Sequence, residues 1–368
     1  MSRQRYISAL HCENPQVIPH QVWLLHPEFI SDATGVDYYE QPMTASLRFH
    51  KRFDVDNGGP VYTDNTPLRR PKPGETKDGG EWSNEGFNTK WYTEKPFTMP
   101  EELWDFDPDP WGKDANKAVQ PEYAMRNFRW CFEPETWDGR RAQEQADWEN
   151  IERLFPDKFT NARGFYCTTF MWGICIFGWE VFLMALGLDP DKTGQVLQRI
   201  SKVTERIYQY FATCDGAVFA VPHDDVCISS GPVAPPQWYR QYIWPQYERI
   251  FAPLRATGKL VVYISDGDIR KLAPDIAPLV DGFIFESSTP ADFMFERFGR
   301  NKCLIGGIDV RPLTFGSPED VHQEVRKAID LGRDCPGYVI ACPDTIPANV
   351  PIENVYAYFD AVEKNRQR

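Results

Sequence analysis

Residues 259–268, KLVVYISDGD, place an unbroken apolar run directly before two aspartates. Comparable apolar runs lie at residues 216–222 (GAVFAVP), 282–286 (GFIFE), 303–308 (CLIGGI) and 337–342 (GYVIAC). A strand that is apolar along its whole length is typical of a parallel sheet that helices cover on both faces. The second half of the chain is therefore predicted to contain five parallel strands.

Helical patterns separate these strands. Residues 196–212 repeat apolar side chains every three or four positions, which is the spacing of a helix with one buried face. Before residue 318, Ser317 can cap a helix and Pro318 suits its first position. Further helices are predicted at residues 237–256, 269–279, 291–298, 318–331 and 352–364.

Three more strands are predicted upstream, at His20–Leu25, Ser46–Phe53 and Gly164–Thr169. Together with the five above they make eight, the number that closes a (β/α)8 TIM barrel. A doubly wound open sheet is the main alternative, but the chain lacks the GxGxxG and GxxxxGKS/T phosphate loops. We therefore predict an α/β fold in which residues 1–368 form a single barrel domain.

An irregular insertion, residues 54–147, separates the second and third predicted strands. It is rich in proline and tryptophan, whereas disordered segments are poor in aromatic residues. One interpretation is a lid or aromatic wall over the barrel mouth. The other is a packing elaboration or the surface of a homodimer.

Composition excludes several classes of protein. The formal net charge of −13 argues against a nucleic-acid partner. No window reaches the roughly 18 apolar residues that a membrane span needs. The nine cysteines form no CxxC pair, which is typical of reduced thiols in a cytoplasmic protein.

Acidic residues follow the predicted strands in a regular pattern. In a TIM barrel these positions meet at the C-terminal mouth, where barrel enzymes place their sites. Carboxylates gathered there repel one another, so the site requires a metal, a cationic substrate or protonation of some of them. The alternative is that each acid caps the following helix. The residues are Asp225, Asp266, Glu286, Asp309 and Asp344.

His223 ends the strand that precedes Asp225, where it can act as a metal ligand, a general acid or a structural hydrogen-bond donor. We predict that His223 and Asp225, with Asp266, Asp309 and Asp344, carry the chemistry. His20 and Trp23 on the first predicted strand, and Tyr166 on the third, are predicted to bind substrate.

The chain resembles the uroporphyrinogen decarboxylase superfamily from about Ala217 to Val362. The resemblance implies a (β/α)8 barrel and one of two chemistries: decarboxylation of uroporphyrinogen, or methyl transfer involving corrinoid proteins or thiols. It rests on residues 262–268 (VYISDGD), 304–310 (LIGGIDV), 313–321 (LTFGSPEDV), 337–340 (GYVI) and 346–355 (IPANVPIENV), taken in order.

The decarboxylases of this superfamily carry an arginine-rich motif after the first strand, where this chain has Trp23–Glu28 (WLLHPE) without arginine. Only Arg163, Arg270 and Arg311 could form a cationic cradle near strand ends. A cofactor-independent decarboxylase or lyase is therefore the second hypothesis, and a non-catalytic relative is the third.

The thiol-activating methyltransferases carry a His-x-Cys-Gly motif after the fifth strand and a cysteine near the end of the eighth. Here Ile264, Asp266 and Asp344 stand at those positions. These replacements argue against the thiolate-type zinc site of those relatives and leave a harder nitrogen and oxygen site for zinc or another divalent metal as the alternative, with His223, Asp266, Glu286 and Asp344 as candidate ligands.

The SDGD form with a following Gly-Gly-Ile-Asp resembles the corrinoid-dependent O-demethylases. That resemblance implies a methyltransferase that moves a methyl group from a methoxylated small molecule to the corrinoid of a separate protein, and the aromatic-rich insertion would suit an aromatic donor.

Overall fold

The computed structural model describes residues 2–58, 62–70, 72, 76–78, 81–83, 97–106, 131, 133–161, 165–343 and 345–368. Its helices are α1 Ser2–Leu10, α2 Pro27–Thr34, α3 Pro42–Arg52, α4 Pro100–Trp104, α5 Trp137–Leu154, α6 Phe170–Phe177, α7 Trp179–Leu188, α8 Pro190–Ala212, α9 Pro236–Tyr242, α10 Trp244–Ala256, α11 Ala273–Ile276, α12 Ala291–Phe298, α13 Val310–Phe315, α14 Pro318–Gly332 and α15 Ile352–Asn365. Its strands are β1 Leu24–Leu25, β2 Thr76–Asp78, β3 Glu81–Ser83, β4 Phe165–Cys167, β5 Phe219–His223, β6 Cys227–Ile228, β7 Gly231–Pro232, β8 Leu260–Ser265, β9 Gly282–Phe285, β10 Cys303–Gly307, β11 Tyr338–Ala341 and β12 Ile346–Pro347.

Six strands form one parallel sheet in the order β11-β10-β9-β8-β5-β4. The five strands predicted in the second half are all present in this sheet, within a few residues of their predicted bounds. The third predicted strand, at 164–169, is present as β4. Long helices follow β4, β5 and β10, so the strands are covered as the apolar pattern predicts.

The first barrel strand lies beside β11. Its backbone is paired in parallel fashion, because Ile340 N donates to Pro19 O and Gln21 N donates to Ile340 O, both at 2.9 Å. His20 forms the bridge with Ile340, within the predicted strand His20–Leu25. Just beyond it, β1 pairs in parallel with β12.

The second barrel strand is a short segment around Asp56. Asp56 N donates to His20 O at 2.8 Å, and Phe159 N donates to Asp56 O at 2.7 Å. From there the ring reaches the six-stranded sheet, because Asn161 Nδ2 donates to Phe219 O at 2.8 Å. The pairing therefore runs through eight strand positions, and the fold is a (β/α)8 TIM barrel with the insertion between the second and third.

The second predicted strand, Ser46–Phe53, is wrong: these residues belong almost entirely to helix α3. Ala45 and Phe49, four residues apart, are buried on one face together with Ser46 and His50. This is helical rather than alternating spacing. Pro42 stands at the start, where a missing N–H costs nothing.

Two apolar layers hold the barrel together. Inside the ring, Val262, Ile284, Ile305 and Val339 pack with residues of α1, among them Tyr6. Helix α1 thus fills one end of the barrel interior. A larger cluster lies between the strands and the outer helices, and buried side chains of α8, α10, α14 and α15 contribute to it.

Asp56 ties both ends of the chain to the barrel. Its carboxylate is fully buried and accepts hydrogen bonds from Ser2 Oγ at 2.6 Å and His20 N at 2.8 Å. It also accepts from Arg366 Nη1 at 2.8 Å and from Arg5 Nε. One buried carboxylate therefore joins α1, the first two strands and the end of α15.

Replacing Asp56→Ala is expected to lower the free energy of unfolding by about 3 kcal/mol, because the buried guanidinium of Arg366 loses one of its two carboxylate partners and keeps only the half-exposed Asp54. Urea denaturation measures this change. Glu319→Ala is the matched control, since it breaks an exposed pair with Arg326 and is expected to cost less than about 1 kcal/mol. Equal, small losses for the two variants would refute the role of Asp56.

The described part of the insertion packs on the helical layer. Trp104 Nε1 donates to Thr193 Oγ1 at 3.1 Å, and Arg199 Nη2 donates to Trp104 O at 2.7 Å. The rings of Phe97 and Phe106 pack edge-on against the ring of Phe177, with distances of 4.9 and 5.1 Å between ring centroids. Residues 107–130 lie outside the described residues, so the lid at the mouth stays a prediction.

Across the described helices, none combines the length and the apolarity that crossing a lipid bilayer demands.

Candidate functional site

His223 is the last residue of β5 and lies at the C-terminal mouth of the barrel. It pairs in register with Ile264 of β8, which packs against the interior apolar cluster. Residues in register on parallel neighbours point to the same side of the sheet, so His223 faces the interior too. Its Nε2 atom lies 2.9 Å from Asp225 Oδ1.

Asp266 stands on a tight turn after β8 that three contacts hold in place. Asp266 N donates to Asp225 Oδ1 at 3.0 Å, and Gly267 N donates to the carboxylate of Glu286. Thr289 Oγ1 donates to Gly267 O at 2.9 Å. The first of these bonds joins the turn directly to the carboxylate that contacts His223.

Only glycine fits at position 267. Its φ is +83°, and a Cβ atom there would lie 2.6 Å from the carbonyl carbon of Cys227. The SDGD sequence therefore encodes a backbone shape as well as two acids.

His223, Asp225 and Asp266 each offer one ligand atom, and these atoms lie within 4.8 Å of one another. We call these three residues the mouth cluster. Asp225 is buried, His223 is half-buried and Asp266 is exposed, so the cluster opens to solvent on one side. With Glu286 beside the turn, three carboxylates face a single imidazole, and the site is short of positive charge.

The pKa values reflect this crowding. Partial burial, together with the charges of Asp225 and Glu286, raises the pKa of Asp266 to about 7. Burial lowers the pKa of His223, but its hydrogen bond to Asp225 and the charge of that carboxylate outweigh burial and raise the pKa to about 9. Burial raises the pKa of Asp225, and the contact with His223 more than offsets it, so that its pKa is lowered.

Asp224, next in sequence to Asp225, has a different task. It is fully buried and accepts hydrogen bonds from Thr169 N at 3.0 Å, Phe170 N at 2.9 Å and Met171 N. Tyr247 Oη donates to it at 2.6 Å. Asp224 therefore holds the N-terminus of α6 against the sheet, where a carboxylate suits the helix dipole.

The structure brings some of the predicted residues together and separates others. His223, Asp225, Asp266 and Glu286 lie together at the mouth. Asp309 instead caps α13 and pairs with Arg311, as the capping alternative predicts. Asp344 lies outside the described residues, and only the backbone of Tyr166 is described.

Of the residues predicted to bind substrate, Trp23 is half-buried and packs against the interior apolar cluster. The prediction for His20 is wrong. Its ring is buried in the helical layer, with Nε2 2.9 Å from Tyr358 Oη and the ring of Phe359 at 5.6 Å. Successive residues of a strand face opposite sides, so His20 faces the outer helices whereas Trp23, three positions later, faces the barrel interior.

Sequence reasoning did not select Cys167, which ends β4 in register with His223. Its thiol is buried, 3.9 Å from the thiol of Cys175 on α6. The available signal was its position in the predicted strand Gly164–Thr169, but cysteines were considered only as CxxC pairs.

The family model for uroporphyrinogen decarboxylase (URO-D) matches residues 165–365, more than half of the 368 residues. No curated protein matches the chain in sequence. Among solved structures, a methyltransferase from Methanosarcina mazei is similar, with a TM-score of 0.59 over 99% of this chain and 98% of that chain, at 16% sequence identity. At that identity the likeness shows the fold, and the family resemblance stated from the sequence is confirmed by the family model.

The neighbours Asp224 and Asp225 allow a test of their separate roles. Asp224→Asn is expected to lower the free energy of unfolding by about 2–3 kcal/mol, because charge-assisted bonds to three backbone N–H groups are lost. Asp225→Asn is expected to cost less, because it also relieves repulsion within the mouth cluster. Urea denaturation of both variants checks the order, and the reverse order would show that Asp225 is the structural residue.

Proposed function

The chain belongs to the uroporphyrinogen decarboxylase family, and from that premise we propose that it transfers a methyl group from a methoxylated small molecule to a separate corrinoid protein. The family match supports a decarboxylase- or methyltransferase-type enzyme. The choice of methyl transfer, an aromatic methyl donor and a corrinoid acceptor is our proposal.

Two of the three candidate arginines, Arg270 and Arg311, favour methyl transfer over decarboxylation, and the third, Arg163, lies outside the described residues. A decarboxylase needs cationic groups for the substrate's carboxylates. Here Arg270 is held by both oxygens of Asp268, and Arg311 is held in the same way by Asp309. Each guanidinium is already neutralised, while the mouth cluster itself is acidic. A polycarboxylate would therefore meet net repulsion at this site.

The observation that carries the proposal is the convergence of His223, Asp225 and Asp266. One imidazole nitrogen and two carboxylate oxygens are a donor set that suits zinc or another divalent ion, with an open position left for substrate. The residues therefore fit the metal that the family resemblance implies. Crowded carboxylates supply the negative charge that such an ion would balance.

The place of the imidazole supports the same conclusion. The resemblance puts a histidine ligand of the thiol-activating relatives at position 264, which is isoleucine here. His223 is the register partner of Ile264 on the neighbouring strand. Because neighbouring strands lie about 4.8 Å apart, an imidazole on β5 can reach the space that one on β8 would occupy. The donor is retained but comes from another strand.

In the proposed reaction the C–O bond of the methyl ether breaks. Its electron pair goes to oxygen, while the Co(I) of the corrinoid provides the pair for the new bond to the methyl carbon. The leaving oxygen then takes a proton from solvent, which reaches the mouth beside exposed Asp266. A divalent ion, when bound, would stabilise the negative charge on that oxygen.

Hydrogen bonds within the mouth cluster and to Glu286 hold it in shape. Asp225 accepts from the backbone of Asp266 and contacts His223, so it fixes the relative positions of the two outer ligands. Glu286 restrains the turn through Gly267 N. We assign Trp23, at the edge of the interior, to stacking against an aromatic methyl donor.

The reaction can be tested directly. Purified enzyme, a panel of methoxylated aromatics and cob(I)alamin are expected to give the absorption spectrum of methyl-Co(III), together with the free phenol. Carbon dioxide release from carboxylated substrates, with no methyl-cobalt formed from any donor, would establish a decarboxylase instead. Absence of both reactions and of bound metal would favour a non-catalytic relative.

The proposed position of the imidazole ligand, at residue 223 instead of 264, gives a second test. His223→Ile is expected to weaken divalent-metal binding by at least about 100-fold, since a first ligand is lost. The double variant His223→Ile, Ile264→His is expected to recover most of the affinity, because the register partner restores an imidazole. Chelator competition with zinc and the visible spectrum of a cobalt(II) derivative measure both.

His322→Ala is the control for that series, since His322 lies on the outer helix α14, where it pairs with Asp360 of α15 at 3.6 Å. It is expected to bind metal like the parent. Full metal occupancy in His223→Ile would contradict the proposed ligand set.

We further propose a cytoplasmic location and a homodimer. The cysteine content supports the first, because all nine cysteines are free thiols.

A further inference from the structure

Asp225 stands at the centre of a tight turn that follows β5. Val226 N donates to Asp224 O at 2.9 Å, and this bond closes a three-residue turn around Asp225. In so short a turn, the backbone of the two neighbouring residues sets the direction of the central side chain. The position of that backbone therefore decides where the Asp225 carboxylate lies.

Two buried tyrosine hydroxyls hold this backbone. Tyr263 Oη, from β8, donates to Asp224 O at 2.9 Å. Tyr239 Oη, from α9, donates to Val226 O at 2.7 Å. Both side chains are fully buried in the larger apolar cluster, between the strands and the outer helices. We call Tyr239 and Tyr263 the clamp tyrosines, because their hydroxyls bind the residues on both sides of Asp225.

The two carbonyl oxygens would not be unpaired without these hydroxyls. Asp224 O already accepts from Val226 N, and Val226 O already accepts from Val233 N at 3.0 Å. A buried carbonyl oxygen with one hydrogen bond is tolerated more readily than an unpaired one. The hydroxyls add a second bond from a different element, and what this bond adds is restraint of the turn.

The clamp tyrosines are themselves held in place. The ring of Tyr239 stacks on Trp244, with 5.3 Å between ring centroids, and its hydroxyl accepts from Ala234 N at 3.2 Å. The ring of Tyr263 packs edge-on against Phe283, with 6.4 Å between ring centroids. Burial raises the pKa of both hydroxyls, so each keeps its proton and can donate to a carbonyl oxygen.

Asp225 in turn joins the other two members of the mouth cluster, because it contacts His223 and accepts from Asp266 N. We propose that the clamp tyrosines are positioning residues for the mouth cluster. Their hydroxyls fix Asp225, and Asp225 holds His223 and Asp266 at the spacing that a divalent ion needs. This inference rests on the proposed function, since it names what shapes the metal site of that function.

The test removes one hydroxyl at a time. Tyr263→Phe and Tyr239→Phe keep the aromatic rings and lose the bonds to the turn. The first readout uses the metal-free protein, in which the Asp266 amide donates to Asp225 Oδ1. This amide is expected to exchange its hydrogen about fivefold faster in either variant, because its acceptor is less restrained. Hydrogen exchange followed by NMR measures the rate.

The second readout is metal affinity. Either variant is expected to raise the Kd for zinc by about tenfold or more, the effect of losing an outer partner of a metal ligand. Chelator competition measures this Kd. The visible spectrum of the cobalt(II) derivative is expected to shift as well, because the positions of the ligands change.

Tyr338→Phe is the matched control. Tyr338 is also fully buried, and its hydroxyl donates to the strand carbonyl of Gly306 at 3.3 Å. Three strands separate β11 from β5 in the sheet, so this bond lies away from Asp225. The control is expected to lower the midpoint of urea denaturation, because a buried hydrogen bond is lost. Its Asp266 exchange rate and zinc affinity are expected to match those of the parent.

Each outcome decides the proposal. If both clamp variants keep the Asp266 exchange rate and zinc affinity of the control, the positioning role is wrong. It is also wrong if Tyr338→Phe changes both to the same extent, because the effect is then a general loss of stability. If the parent binds no zinc, the metal site of the proposed function has failed, and the exchange rate alone decides whether the tyrosines position Asp225. If one clamp variant does not fold, the other supplies both readouts.

Discussion

The closure of the barrel depends on a single buried carboxylate. Asp56 receives the side chains of Ser2, Arg5 and Arg366 and the backbone of the first strand. The strand pairs of the six-stranded sheet are held mainly by backbone hydrogen bonds and apolar packing. The second strand is too short to supply comparable packing, so charge-assisted hydrogen bonds replace it. The six-stranded sheet carries the mouth cluster, and the segments joined at Asp56 close the ring around it.

The strands of the second half were predictable because each is apolar throughout, and only a sheet covered on both faces requires that. The second strand was not, because residues 54–58 read DVDNG and have one apolar side chain. This strand is held by backbone hydrogen bonds and by the Asp56 carboxylate, and neither produces a pattern of apolar residues in the sequence. The second strand was predicted instead at the neighbouring residues 46–53, which contain Leu47, Phe49 and Phe53. Its buried residues instead follow the four-residue step of α3.

The site was predictable in outline for a topological reason: the ends of parallel strands share one edge, so acids that follow them meet there. Whether an individual acidic residue at this edge joins the site depends on the local direction of the backbone. Asp224 and Asp225 are adjacent, yet one faces the helix layer and the other the mouth. Asp309 follows its strand as Asp266 does, but it turns into the start of a helix. The pairing of His223 with Ile264 links residues 41 positions apart, a relation that only strand register creates.

That register also bears on how such a centre can change over evolutionary time. Two positions that face the same space from neighbouring strands can both carry a histidine, and a chain in that state has a spare ligand. Loss of either one then leaves a working set. A lineage can pass from a donor on one strand to a donor on the next by single substitutions, without an inactive ancestor between them. With the proposed ligand set, Ile264 can serve apolar packing against the barrel interior while His223, its register partner on the next strand, supplies the imidazole.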